Sequence, residues 1–122
     1  MARLNLIILS VEDPLASVTF YRSILGQEPR FEVPTFSSFE ISGGWTLGLL
    51  STKSTSSLPP GEGNRMEIGF MVENEAAVQA LYEDWQAKGV TIAEALAVKD
   101  FGPTFVGSDP DGHRLRVCLN DA

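Results

Sequence analysis

The feature that most constrains the fold of this chain is a repeat within it. A shift of about 61 residues superposes the run Val11-Glu12-Asp13 on Val72-Glu73-Asn74. The same shift superposes Tyr21 on Tyr82. Chance explains any one of these matches, but it does not readily explain the run together with the same order of predicted elements in both halves. We therefore predict two copies of one structural module.

The first copy is predicted to contain one strand, one helix and three further strands. Residues 4–11 form the first predicted strand, and Asp13-Pro14 then supplies a helix N-cap followed by the proline that a first helical position tolerates. Apolar residues recur at helical spacing up to Gly26, the expected C-terminal stop. Three strands follow at 30–33, 36–41 and 45–50, with a tight hairpin at Gly43-Gly44.

The second copy repeats this order after a segment without periodicity. Residues 51–64 are rich in Ser, Thr, Pro and Gly, which is typical of a linker or a mobile loop. A strand at 66–72 precedes a helix that begins at Asn74 and ends at Gly89. Three further strands are predicted at 91–98, 104–107 and 113–119.

These patterns predict an α+β fold in a single domain spanning residues 1–122. Module one covers 3–50, the linker 51–64 and module two 65–120. Two βαβββ modules can place their helices outside and curve their strands into a half-barrel cup, with a concave sheet face open to a ligand.

Composition narrows the classes of partner. At 122 residues and 43% hydrophobic, the chain is long enough for one genuine core. A net charge of −7 repels nucleic acid and anionic membrane surfaces, so we expect neither as a partner. The apolar run 4–11 is too short for a signal peptide or a membrane span.

The chain has a single cysteine, Cys118, which we expect to be a buried small hydrophobe. A single cysteine fits the reducing environment of the cytoplasm.

The last predicted strand carries cations on one face. Its turn, Ser108 to Gly112, has proline and glycine where a type I turn favours them. Alternation then puts Leu115, Val117 and Leu119 on an apolar face, and Arg114, Arg116 and Cys118 on the opposite one. A cation in the middle of such a strand must reach water or a buried partner, so the partner of Arg116 bears directly on function.

The paired modules, the Asp109 to Gly112 turn, and Phe20-Tyr21 with Leu25-Gly26 closing the first helix resemble the vicinal oxygen chelate superfamily. That superfamily includes glyoxalase I, extradiol dioxygenases, fosfomycin-resistance enzymes and bleomycin-binding proteins. The runs 67–71, 101–105 and 108–118 look more narrowly like its phenazine antibiotic resistance branch, which binds griseoluteate-type phenazines. The resemblance implies a cup-shaped fold, a homodimer and a small aromatic ligand.

The resemblance also locates the positions that hold metal in other members. Carried over by motif, they are Leu6, Gly48, Glu67 and Arg116, and only Glu67 offers a ligand atom suited to a metal. The only histidine, His113, abuts the turn, so one chain cannot build a two-histidine, one-carboxylate iron site. We expect no metal, no cofactor and no catalytic residue, with a Glu67–Arg116 ion pair instead. That pair either contacts the ligand or is a structural relic.

Alternation along the predicted strands adds further residues to the candidate ligand site, because every second side chain of a strand lies on the same face of the sheet. A Gly43-Gly44 turn would pair Ile41 with Thr46 and Phe39 with Gly48. Trp45 would face a ligand only if the hairpin is offset by one residue. Phe101 and Phe105 flank a loop that covers the cup or joins the core. The predicted ligand-binding residues are Leu6, Ile8, Phe39, Ile41, Trp45, Gly48, Leu50, Glu67, Gly69, Met71, Phe101, Phe105, Arg116 and Cys118.

The sequence therefore predicts a cytoplasmic, non-enzymatic protein that sequesters a planar apolar or aromatic compound, and the resemblance implies that it is a homodimer and that the compound is a phenazine-type antibiotic. One alternative is a metal-free enzyme of the same fold, in which Glu67 acts as a base and Arg116 stabilises an oxyanion. Another keeps a metal bound through carboxylates and waters.

Overall fold

The computed structural model describes residues 5–53 and 66–120 of the chain. It divides into two compact units, Met1–Gly61 and Glu62–Ala122, called here the first and the second unit. The first unit contains β1 (Leu6–Val11), α1 (Pro14–Leu25), β2 (Phe31–Val33), β3 (Phe36–Ile41) and β4 (Trp45–Ser51). The second contains β5 (Glu67–Val72), α2 (Glu75–Ala87), β6 (Thr91–Lys99), β7 (Gly102–Ser108) and β8 (Arg114–Leu119).

This order confirms the predicted α+β fold with two βαβββ modules. The single domain and the half-barrel cup stay predictions. Most of the predicted linker, residues 54–64, lies outside the described residues. Ser51, which the linker was expected to include, is a buried residue at the end of β4.

Both helices begin and end where the cap signals predict. The Asp13 carboxylate accepts a hydrogen bond from the Leu15 amide ahead of α1, and the Asn74 side chain accepts one from the Ala77 amide in α2. Gly26 follows α1 in the left-handed conformation, with φ 66°, which a residue with a side chain rarely adopts. Within the described residues, neither helix is long and apolar enough to cross a membrane.

The sheet of the first unit has the strand order β1-β4-β3-β2, with β1 parallel to β4 and the other pairs antiparallel. Helix α1 packs against one face, where the Tyr21 ring meets the Phe39 ring edge-on at 6.5 Å. Leu47 and Leu49 of β4 are buried on this helix-facing side. The opposite face of the sheet is called the first open face.

The sheet of the second unit repeats this arrangement, with the order β5-β8-β7-β6. Helix α2 packs against it through Trp85, whose ring makes edge-on contacts at 5.3 Å with both Phe70 and Phe105. Leu115 and Val117 of β8 are buried on the same side. The face of this sheet away from α2 is called the second open face.

The register of the β3–β4 hairpin differs from the prediction. Ile41 pairs with Trp45 and Phe39 with Leu47, so the loop has three residues rather than two. Phe39, Ile41 and Trp45 therefore share the helix-facing side with Leu47, and the prediction that they line the open face is wrong. The physical reason is burial: a one-residue slip would turn the fully buried Phe39 out of the core.

Candidate ligand-binding site

The second open face is formed mainly by β5 and its parallel neighbour β8. The register pairs Glu67 with Arg114, Gly69 with Arg116, and Met71 with Cys118. Alternation on both strands sends these side chains away from α2. The predicted polar face of β8 is confirmed.

Arg116 meets the partner that the sequence predicts. Its Nε donates to Glu67 Oε1 at 2.9 Å, and its Nη2 donates to Oε2 at 3.2 Å. Its Nη1 donates to Thr104 Oγ1 at 3.1 Å, and the Thr104 hydroxyl donates to the Val117 carbonyl at 2.7 Å. Two nitrogens on two oxygens form a bidentate contact, which fixes the orientation of the guanidinium.

A second pair of charges extends this contact. Arg114 Nε donates to Glu67 Oε2 at 2.9 Å, and Arg114 Nη2 donates to Glu94. Glu94 Oε1 also lies 3.8 Å from Arg116 Nη2. Glu67, Glu94, Arg114 and Arg116, called here the charged quartet, carry no net charge together.

Alternation along the strand does not predict the position of Glu94, because β6 is irregular. Simple alternation puts Glu94 on the same side as Ile92. The register of β6 on β7 shifts between Ile92 and Glu94, and again between Glu94 and Ala97. Such bulges re-aim a side chain, and here they place Glu94 opposite Val106, on the second open face. An acidic residue in the middle of an apolar strand was the available signal.

The quartet keeps its carboxylates ionised. Hydrogen bonding from Arg116 is the main cause that lowers the pKa of Glu67, and the hydrogen bond from Arg114 lowers the pKa of Glu94. The bonds to Glu67 in turn raise the pKa of Arg116. A carboxylate with a lowered pKa is a weak base, so Glu67 is poorly suited to removing a proton.

Apolar side chains lie on the same face as the quartet, and one of them is close to Arg116. The Phe101 ring, at the β6–β7 turn, lies 5.9 Å from Arg116 Cζ and remains exposed. A Cβ added at Gly69 would meet no heavy atom within 4 Å, so the space above this position is open. A cavity of about 490 Å³ is lined by Met71, Phe101, Cys118, Leu119 and Asn120. Cys118 is partly exposed at this cavity rather than buried as predicted.

Phe105 does not belong to this face. It is fully buried on the helix-facing side, with its ring 5.0 Å from that of Tyr82. Strand β7 already begins at Gly102, so residues 102–105 are paired strand rather than loop. The prediction of Phe105 as a lid is wrong, and the alternative of a core residue is confirmed.

The first open face brings together Leu6, Ile8, Gly48 and Leu50. The β1–β4 register pairs Ile8 with Gly48, and β3 sets Phe36 opposite Leu50. A Cβ at Gly48 would lie 3.0 Å from the Phe36 ring and 3.3 Å from Ile8 Cγ1. The space above Gly48 is therefore occupied by the Phe36 ring. Phe36 is absent from the predicted ligand-binding residues, because the predicted register of β3 placed it on the other face of the sheet.

The residues at the superfamily's metal positions do not fit a metal ion. Leu6 and Gly48 offer no donor side chain, and Arg116 brings a permanent positive charge. Both oxygens of Glu67 already accept hydrogen bonds from arginines. Among the described residues, no group of three or more His, Cys, Asp or Glu side chains could hold a metal ion.

His113 belongs to the turn that precedes β8. The Gly112 amide donates to the Asp109 carbonyl at 3.0 Å, and the buried Asp109 carboxylate accepts from the amides of Asp111 and His113. The other oxygen of that carboxylate lies 2.8 Å from His113 Nδ1. This hydrogen bond is the main cause that raises the pKa of His113. The arrangement stabilises the turn.

Comparisons with known proteins agree with this architecture. The family model described as the Glyoxalase/Bleomycin resistance protein/Dioxygenase superfamily matches residues 3–117. The phenazine antibiotic resistance protein EhpR of Enterobacter agglomerans is 34% identical over 121 residues, which cover 96% of this chain and 92% of that protein.

Solved structures show the same fold. A protein of Agrobacterium tumefaciens, solved by solution NMR, is 37% identical, with a TM-score of 0.80 and full coverage of both chains. A glyoxalase-related enzyme from Fulvimarina pelagi is 23% identical, with a TM-score of 0.81 over 98% of this chain and 89% of its own. At 23% identity, the similarity to the Fulvimarina pelagi enzyme is evidence for the fold alone.

Proposed function

Because this chain belongs to the glyoxalase/bleomycin resistance protein/dioxygenase superfamily, we propose that it is a small-molecule binding protein that sequesters a planar aromatic compound of the phenazine type. Such sequestration confers resistance without converting the compound. The identity with a phenazine antibiotic resistance protein, which extends over nearly the whole chain, supports this ligand class.

The observation that carries the proposal is the exposure of large apolar side chains on both open faces. In the first unit Leu6 is 49% exposed and Ile8 46%, and in the second Met71 is 65% and Phe101 57% exposed. Groups of exposed apolar side chains on a protein surface often mark a binding site. Covering the apolar side chains of either face with a flat apolar ligand removes that surface from water, which supplies the affinity.

The state of Glu67 favours binding over catalysis. Its lowered pKa and its hydrogen bonds to two arginines leave it a weak base, whereas a metal-free enzyme needs a base with a pKa nearer the working pH. The quartet would instead orient a polar group on the ligand through the spare N–H groups of its arginines.

The proposal is tested by titrating purified protein with phenazine-1-carboxylic acid, following tryptophan fluorescence and analysing the recovered ligand by mass spectrometry. We expect saturable quenching and an unchanged ligand. Chemical conversion would favour the metal-free enzyme, and the absence of binding would contradict the phenazine assignment.

A matched pair of variants tests the open face itself. Ile8→Thr should weaken binding about fivefold, because roughly 1 kcal/mol of apolar contact is removed while the β-branched shape is kept. Leu15→Gln alters an exposed apolar residue on α1 in the same unit and should leave affinity unchanged. Equal effects of the two variants would argue against the open face as the site.

The proposal includes a homodimer in the cytoplasm, as the family resemblance implies. Light scattering on the purified protein should then give a mass twice the 13.3 kDa of one chain. A mass of one chain at micromolar concentration would contradict this part of the proposal.

A further inference from the structure

We propose that Glu94 is a displaceable internal carboxylate, which occupies Arg114 and Arg116 until a carboxylate on the ligand replaces it. The site would thereby select aromatic carboxylates over neutral analogues of the same shape. This inference rests on the proposed function and names the chemistry of the ligand at the second open face.

The two carboxylates of the quartet are held unequally. Among the residues that the structure describes, Glu67 accepts three hydrogen bonds, one from Arg114 and two from Arg116. Within the same residues Glu94 accepts one hydrogen bond, from Arg114, and it approaches Arg116 only to 3.8 Å. Glu67 is therefore the permanent partner of the arginines, and Glu94 is the one that can leave at lower cost.

The strand that carries Glu94 favours its movement. Strand β6 lies at the edge of its sheet, and its register shifts on both sides of Glu94. A residue between two bulges can swing towards water without breaking a regular ladder of hydrogen bonds. Glu67 lies on β5, the other edge strand of this sheet, but β5 pairs with β8 in continuous register, so the contrast with Glu94 lies in the register shifts of β6.

The arginines have donors available for an incoming anion. Arg114 Nη1 forms no hydrogen bond with any described residue, and Arg116 Nη1 bonds only to Thr104 among them. When Glu94 leaves, Glu67, Arg114 and Arg116 together carry one positive charge. A single carboxylate on the ligand restores neutrality and can accept from both guanidinium groups.

The apolar surroundings hold the rest of such a ligand. Phe101 lies beside Arg116, and the cavity lined by Met71, Phe101 and Cys118 opens at the same face. An aromatic ring placed there contacts apolar side chains while its carboxylate reaches the arginines. The charged and apolar parts of the face thus correspond to two parts of one ligand.

The experiment compares phenazine-1-carboxylic acid with its neutral carboxamide at pH 7. Affinities are measured for the wild-type protein, Glu94→Gln and Glu83→Gln. Glu83 lies on α2, on the other side of the sheet, where it bonds Gln79, so Glu83→Gln makes the same change in net charge away from the site.

We expect Glu94→Gln to strengthen binding of the carboxylate by about five- to tenfold, because a competing anion is removed. The same variant should leave carboxamide affinity unchanged, and Glu83→Gln should alter neither. Glu94→Ala should reproduce the effect, which separates loss of charge from any new contact by the glutamine.

An unchanged or weaker affinity of Glu94→Gln for the carboxylate would overturn the inference, as would equal strengthening of both ligands. If both ligands bind the wild-type protein but Glu94→Gln has no effect, the inference fails while the proposed function stands. If neither ligand binds any of the proteins, the proposed function fails and the inference falls with it.

Discussion

Replacing Gly107 by alanine is a direct test of the packing of the second unit. An added Cβ would lie 3.0 Å from Trp85 Cε3, 3.0 Å from Val90 Cγ1 and 3.1 Å from Trp85 Cζ3. Carbon atoms in ordinary contact are about 3.5 Å or more apart, so these neighbours would have to retreat by several tenths of an ångström. The Trp85 ring cannot do so freely, because it is fully buried between Phe70 and Phe105.

Forcing a methyl group into such a site costs about 1–3 kcal/mol, less the roughly 0.5–1 kcal/mol that alanine gains over glycine through reduced chain entropy. The difference is a net loss of about 0–2.5 kcal/mol. Because Trp85 is held on both sides, we expect the upper part of that range, about 1–2.5 kcal/mol, and a fall in Tm of about 3–10 °C for a chain of this size. Thermal and urea unfolding followed by circular dichroism measure both quantities.

Gly69→Ala is the matched control, since it is the same substitution in a strand of the same unit. Its Cβ would meet nothing within 4 Å, so the variant should be as stable as the wild-type protein or more stable by up to about 0.5–1 kcal/mol. The reasoning is refuted if Gly107→Ala unfolds at the wild-type temperature, or if both variants lose the same stability.

Two pH dependences follow from the ion pairs. The pKa of His113 is raised above its ordinary 6.5 by the hydrogen bond to Asp109, so its stabilisation is complete below 6.5 and is lost as the pH rises through the folded-state pKa. Urea unfolding of His113→Gln should remove this decline; an identical decline in the variant would exclude His113 as its cause. The pKa of Glu67 is lowered from 4.5, mainly by the hydrogen bond from Arg116, so its stabilisation is present above 4.5 and is lost as the pH falls through the lower folded-state pKa. Glu67→Gln should flatten the acid side of the stability profile, and an unchanged acid slope would contradict this assignment.

The helix caps and one ion pair could be predicted from the sequence. The side chains of Asp13 and Asn74 cap the helices as predicted, because a cap depends only on the residues of one helical turn. The Glu67–Arg116 pair was also predictable, since the family resemblance placed both residues on neighbouring strands and a half-buried arginine needs an acidic partner.

The errors arose where the pairing of strands decided the outcome. A two-residue and a three-residue loop both suit Gly43-Gly44, and only burial of Phe39 against Tyr21 selects the longer one. The same register places the Phe36 ring against Gly48 on the first open face. No pattern within residues 91–99 reveals the bulges that turn Glu94 towards Arg114.

By itself the sequence determined the repeated order of the elements, the helix ends and the polar face of β8, because each depends on neighbours along the chain or on simple alternation. Only the tertiary structure decided which face Phe39 occupies, what covers Gly48, and that Glu94 completes the charged quartet. Those outcomes depend on the register of neighbouring strands. Register is set by contacts between residues that are distant in sequence, so it cannot be inferred from any short stretch of the chain.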